Sequence, residues 1–78
     1  LSDPAAVFFK FLWIVEEVPT WKLESYKDKK LMGRFSDWVL RFRNDRRNFR
    51  PMRWQQSVQQ GGQLYLEELR SIPIHIVR

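Results

Sequence analysis

The chain has no cysteine and only one histidine, and each shortage excludes a class of chemistry. Without cysteine it can form neither a disulfide nor the usual thiolate zinc sites. His75 lies in an apolar run without a second metal ligand or a partner acid, so we expect it to be structural. Gly61-Gly62 is not followed by the lysine and hydroxyl residue of a phosphate-binding loop. The sequence therefore predicts that the protein is not an enzyme and uses no metal or cofactor.

The chain also lacks a hydrophobic run of membrane-spanning length. Its most apolar stretch, residues 5–18, is interrupted by Lys10, Glu16 and Glu17. It falls short of the ~20 apolar residues that a spanning helix requires, and no signal-peptide pattern precedes it. Together with the absence of cysteine, this favours an intracellular protein, cytoplasmic or nuclear, with no membrane partner.

The length of 78 residues predicts a single helical domain that occupies residues 1–78. Residues 72–78, Ile-Pro-Ile-His-Ile-Val-Arg, form an apolar run that resembles a strand with no partner strand elsewhere in the chain. The chain also begins at Leu1 rather than at methionine. From both features we expect a fragment of a larger protein, with the rest of that protein as one of its partners.

Helix starts and stops can be placed from proline, glycine and the apolar period. Pro4 follows a capping residue, Pro19 ends the first apolar segment, and Pro51 begins a late helix. Between them, apolar residues recur every three to four positions, with a break expected near Gly33 and an end at Gly61-Gly62. The predicted helices are at about 4–17, 21–32, 37–48, 52–60 and 63–70. The predicted fold class is mainly all-α, a small bundle of four to five short helices with an apolar C-terminal strand or tail.

Arginine is concentrated in one part of the chain. Formal net charge is +5, and residues 34–53 hold seven arginines against two acids. A helical wheel over residues 35–50, at about 100° per residue, assigns Phe35, Trp38, Phe42 and Phe49 to one arc. Four arginines occupy the adjacent arc: Arg43, Arg46, Arg47 and Arg50. Guanidinium groups bind phosphates or carboxylates in pairs of hydrogen bonds, so this arc predicts an anion-binding face.

A second surface follows Pro51, where Arg53 precedes a tryptophan, Trp54, that we expect to be exposed. The candidate binding residues are therefore Arg43, Arg46, Arg47, Arg50, Arg53 and Trp54. We expect them to bind the phosphate backbone of a nucleic acid, with DNA slightly ahead of RNA. Two alternatives remain open for the same arginines. They could meet an acidic protein surface, or they could pair within the fold with Glu16, Glu17, Glu67 and Glu68.

The alternative function is a protein-interaction or oligomerisation module. The predicted first helix is apolar on nearly every side, with only a narrow polar stripe through Lys10 and Glu17. A chain this short has little else with which to cover it. Docking through this helix or through the Arg/Trp surface, on another protein or on a second copy, would cover that surface.

One segment resembles a known family. Tyr26, Leu31, Phe35 and Trp38, with basic residues between them, resemble part of the helical core-binding domains of tyrosine recombinases, which clamp DNA. Leu23 stands where that family usually has threonine, and the interval from Tyr26 to Phe35 is longer than in the family. The resemblance covers at most about half of the chain and implies a helical, DNA-binding domain.

Overall fold

A computed structural model describes residues 3–72 of the chain. These residues form four α-helices and one 3-10 turn: α1 (Pro4–Glu16), α2 (Thr20–Asp28), α3 (Gly33–Asp45), the 3-10 turn (Arg46–Asn48) and α4 (Pro51–Ser71). No strand occurs among them, so the predicted all-α class is confirmed. Ile72 leaves α4 with an extended backbone. The rest of the predicted C-terminal strand or tail, with His75, lies outside the described residues.

Local signals set the beginnings of α1 and α4. The Asp3 side chain accepts a hydrogen bond from the N–H of Ala5 at 3.0 Å, and Pro4 occupies the first turn. Pro51 likewise occupies the first turn of α4, although no side chain caps that helix. The predicted break near Gly33 is confirmed, because Lys30 and Met32 adopt left-handed conformations there.

The beginning of α3 differs from the prediction. The helix begins at Gly33 and not at about residue 37, so Ser36 lies within α3, where it is fully buried. The predicted break at Gly61-Gly62 is also wrong, because α4 continues through both glycines to Ser71. Gly61 lies against the indole of Trp38, and a glycine lets the α4 backbone approach that ring. Packing against α3 therefore offsets the poor helix propensity of the glycine pair.

The core is built around the aromatic residues of α3. Phe35, Trp38 and Phe42 are each nearly fully buried, as the apolar arc predicts. Phe11 of α1 and Tyr65 of α4 pack on Phe35, with ring centroids 5.9 and 5.1 Å away. The other buried apolar residues are Ile14, Val15, Val18, Leu23, Met32, Val39 and Leu69. The α3 helix is thus covered on its apolar side by α1 and α4.

The outer face of α1 remains exposed. Phe8 and Phe9 are 53% and 66% exposed. Trp13 is 42% exposed, with the Lys10 ammonium 4.4 Å from the centre of its ring. It is exposed because α1 buries Phe11, Ile14 and Val15 on its other side. None of the helices within residues 3–72 has the length and apolar character needed to cross a membrane.

Candidate nucleic-acid interface

Arg43, a predicted phosphate ligand, stabilises the end of α1. Its Nε donates to the carbonyl oxygen of Val15 at 3.0 Å, and its Nη2 donates to that of Ile14 at 2.9 Å. Carbonyls in the last turn of a helix have no partner within that helix, and a cation is favoured there by the helix dipole. Arg43 is half-buried in this position. Two of its nitrogens therefore already form hydrogen bonds within the protein.

Arg46 is also engaged within the fold, although it remains half-exposed. Its Nη1 lies 2.9 Å from Oε2 of Glu16, and its Cζ lies 5.2 Å from the centre of the Trp54 ring. This ion pair is one of the internal pairings that the sequence left open. A separate ion pair joins Arg34, which is not a candidate site residue, to Glu67 at 3.1 Å at the other end of α3. Part of the arginine excess is thus neutralised internally.

Trp54 is not the exposed tryptophan that the sequence predicts. It is half-buried against Phe42, with ring centroids 4.9 Å apart, and Arg46 lies over its ring. The reason is that the first turn of α4 packs back on the end of α3. The tryptophan with the most exposed side chain is instead Trp21 of α2, at 70% exposure.

Three predicted site residues remain at the turn between α3 and α4, and we call them the arginine cluster: Arg47, Arg50 and Arg53. All three are exposed. The ion pairs found among residues 3–72 use Lys27, Arg34 and Arg46 as their cations, so no carboxylate lies within 4.0 Å of the cluster. The Cζ of Arg53 lies 5.9 Å from the centre of the Phe49 ring. The cluster is therefore basic, exposed and without a protein counter-ion in this part of the chain.

The beginning of α4 adds to the positive potential of the cluster. Arg50 is the N-cap residue of this helix, and no side chain caps it by a hydrogen bond. The amides of Met52 and Arg53 lie in the first turn, where a helix offers no acceptor. A 21-residue helix therefore directs its positive end toward the cluster.

The structure also reveals a pocket that the sequence did not predict, between α3 and α4 beside the arginine cluster. We call it the α3–α4 pocket. Its lining residues are Trp38, Arg41, Phe42, Asp45, Phe49, Arg53, Gln56, Ser57 and Gln60. On α4, Gln56 follows Arg53 by three positions and Gln60 follows Gln56 by four, so the three side chains share one face of the helix. This spacing is the signal in the sequence that could have indicated a shared functional face.

Within residues 3–72, no group of three or more histidine, cysteine, aspartate or glutamate side chains is placed to hold a metal ion. No protein-family model, curated protein or solved structure matches the chain. The resemblance to the tyrosine recombinase core-binding domains therefore depends only on Tyr26, Leu31, Phe35 and Trp38 and the basic residues between them. A functional assignment has to come from the arginine cluster and the surfaces around it.

Proposed function

We propose that the protein is a non-catalytic nucleic-acid-binding domain, with DNA slightly ahead of RNA. The arginine cluster supplies the phosphate contacts. The observation that carries this proposal is the absence of a carboxylate within 4.0 Å of Arg47, Arg50 or Arg53 among residues 3–72, although Glu16 is close enough to pair with neighbouring Arg46. Arg46 and Trp54 form a packed support beside the cluster.

Electrostatic repulsion supports the choice of an anionic partner. Residues 47–53 carry three exposed arginines and include the positive end of α4, and like charges at such short spacing along the chain raise the free energy of the unbound protein. A nucleic acid carries closely spaced phosphates, so a single binding event can neutralise several arginines and release counter-ions. Each guanidinium can also donate two hydrogen bonds to one phosphate.

Fluorescence anisotropy with a labelled duplex of about 20 base pairs, titrated between ~50 and ~300 mM salt, tests the proposal. Each neutralised phosphate contributes about −0.9 to the slope of log affinity against log salt. The double variant Arg47→Gln/Arg50→Gln should therefore bind more weakly, with a slope less steep by about 1.8. The charge-matched control Lys29→Gln/Arg70→Gln changes two exposed cations outside the cluster. It should retain the original slope.

Two results would contradict the proposal. One is the absence of binding to any oligonucleotide at ~50 mM salt, where electrostatic affinity is high. The other is an equal loss of affinity in the cluster variant and its control, because that would reflect net charge alone.

The exposed face of α1 favours a second candidate function, a protein-interaction or oligomerisation module. Phe8, Phe9 and Trp13 lie on this one helix and are each more than two-fifths exposed. Leu66 of α4, beside Phe8 in a shallow apolar groove, is also exposed. Patches of this kind often mark sites of protein association. Sedimentation velocity should then show mass rising with concentration, and Phe8→Ser/Phe9→Ser should abolish the rise. A strict monomer that binds no dye for exposed apolar surface would contradict this function.

A further inference from the structure

We infer that the α3–α4 pocket receives one unstacked base of a single-stranded nucleic acid. This inference rests on the nucleic-acid-binding function proposed above and specifies the form of the ligand. Four features of the pocket support it: its size, its aromatic wall, its polar side chains and its position beside the arginine cluster.

The size of the pocket suits a single planar ring system. Its volume is about 280 Å³. Sites for drug-sized molecules usually occupy about 300–1,000 Å³, so this pocket lies just below that range. It lies between α3 and α4, and both helices contribute to its walls.

One wall of the pocket is aromatic. Phe42 and Phe49 both line it, with ring centroids 5.6 Å apart, and Trp38 stacks on Phe42 at 4.9 Å. Trp38 and Phe42 are only 3% exposed, whereas Phe49 is half-buried and offers more of its ring. Aromatic side chains bind the flat faces of bases with little dependence on sequence. Phe49 is therefore the residue against which we place the base.

The polar residues of the pocket match the edges of a base. Gln56 and Gln60 each carry an amide with both donors and acceptors, and Ser57 adds a hydroxyl. Among residues 3–72, none of these three side chains forms a hydrogen bond with another part of the protein. Amide side chains pair with base edges through two hydrogen bonds. A base would therefore find polar partners not already engaged by the fold.

The charged residues of the pocket define how a strand would enter. Arg41 comes from α3 and Arg53 from α4, and neither has a carboxylate within 4.0 Å among the described residues. Both can hold phosphates of the same strand, and Arg53 connects the pocket to the arginine cluster. In a duplex the bases are stacked and paired, so a base can enter the pocket only by flipping out of the duplex, which costs free energy. Single strands should therefore bind better than duplexes.

Asp45 gives the pocket a preference among bases. An ionised carboxylate only accepts hydrogen bonds, so it binds the amino group of cytosine and repels the carbonyl oxygen that thymine has at the same position. It also disfavours a phosphate inside the pocket. We therefore expect cytosine to bind more tightly than thymine.

Anisotropy at ~50 mM salt with labelled single strands of about 12 nucleotides tests this inference. The probes are deoxycytidine, thymidine and abasic strands, and a duplex of the same length. Stacking and hydrogen bonding of one base should make the deoxycytidine strand bind about tenfold more tightly than the abasic strand. Gln56→Ala/Gln60→Ala should reduce this advantage, because only stacking on Phe49 remains, and should leave abasic binding unchanged. The control Gln55→Ala/Gln63→Ala alters two glutamines of α4 outside the pocket and should keep the advantage.

Asp45→Asn should abolish the preference for cytosine over thymine while raising the affinity for every strand, because it removes a negative charge. Equal binding of deoxycytidine and abasic strands would overturn the inference and leave the proposed function intact. Equal losses on both strands in the Gln56/Gln60 variant would do the same. Absence of binding to all four probes would overturn both.

Discussion

Replacing Gly61 by alanine tests the contact that holds α4 against α3. A methyl group there would meet three atoms of the six-membered ring of Trp38, all within 2.5 Å. Carbon atoms in favourable contact lie about 3.5–4.0 Å apart, so the ring would have to move by at least about 1 Å. Trp38 has little freedom to do so, because Phe42 stacks on it at 4.9 Å and Phe35 at 6.0 Å.

Two opposing effects determine the change in the free energy of unfolding. Forcing extra volume into a packed core costs about 1–3 kcal/mol. Alanine in a helix interior recovers about 1 kcal/mol relative to glycine. The steric cost should exceed the gain, because the indole is boxed in by other rings. We therefore expect a net loss of up to about 2 kcal/mol, and each kcal/mol lost would lower the Tm by roughly 4–8 °C in a domain of this size.

Gly62 provides a matched control in the same helix. A methyl group at Gly62 would meet no atom within 4 Å, so Gly62→Ala should stabilise the protein by up to about 1 kcal/mol. Urea and thermal unfolding, followed by circular dichroism, measure both variants. In a double-mutant cycle, Trp38→Phe should reduce the cost of Gly61→Ala, because the smaller ring removes the overlap. Equal stabilisation by the two alanine variants would refute the reasoning.

Three further predictions concern buried polar groups. Ser36→Ala should raise the free energy of unfolding by about 1 kcal/mol, because the buried Ser36 hydroxyl has no hydrogen-bond partner among the described residues. Urea unfolding measures this change, and a loss of stability would contradict the prediction. Arg43→Lys should lower the free energy of unfolding by about 2 kcal/mol, because lysine cannot keep both hydrogen bonds to the α1 carbonyls. The control Arg47→Lys, at an exposed position, should change the free energy of unfolding by less than about 0.5 kcal/mol. Burial raises the pKa of Tyr65, so the folded chain keeps that proton to higher pH than the unfolded chain, and stability should fall above about pH 10. Unfolding measured from pH 8 to 11 should show a shallower fall for Tyr65→Phe, and an unchanged fall would exclude this cause.

Features of the fold that depend on neighbouring residues could be predicted from the sequence. The Asp3-Pro4 start of α1 and the Pro51 start of α4 are local, because a cap and a fixed proline φ act within one turn. The continuity of α4 could not be predicted in this way. Glycine usually interrupts a helix, and the stabilising contact of Gly61 is made with Trp38, a residue of another helix.

The same limit applies to the candidate site. The apolar arc follows from the period of α3, and the burial of Phe35, Trp38 and Phe42 confirms it. The basic arc assumed a helix through residue 50, but α3 ends at Asp45, so Arg46, Arg47 and Arg50 lie beyond it. The period does not reveal what lies opposite the basic arc. Glu16, the partner of Arg46, is 30 positions away, so its pairing depends on how α1 packs on α3. The α3–α4 pocket likewise exists only because two helices meet.

The internal contacts of the arginines limit how many phosphates the protein can neutralise. Arg43 donates to two backbone carbonyls that would lose their partner if it moved, so it should not contribute. The pair of Arg46 with Glu16 is exposed enough to be worth only about 0–1 kcal/mol, and a phosphate could replace the glutamate. The arginines that can contact phosphates of a duplex are then at most five: Arg41, Arg46 and the three members of the arginine cluster. The salt slope should accordingly not exceed about −4.5 in magnitude, and a steeper slope would show that cations outside this region bind DNA as well.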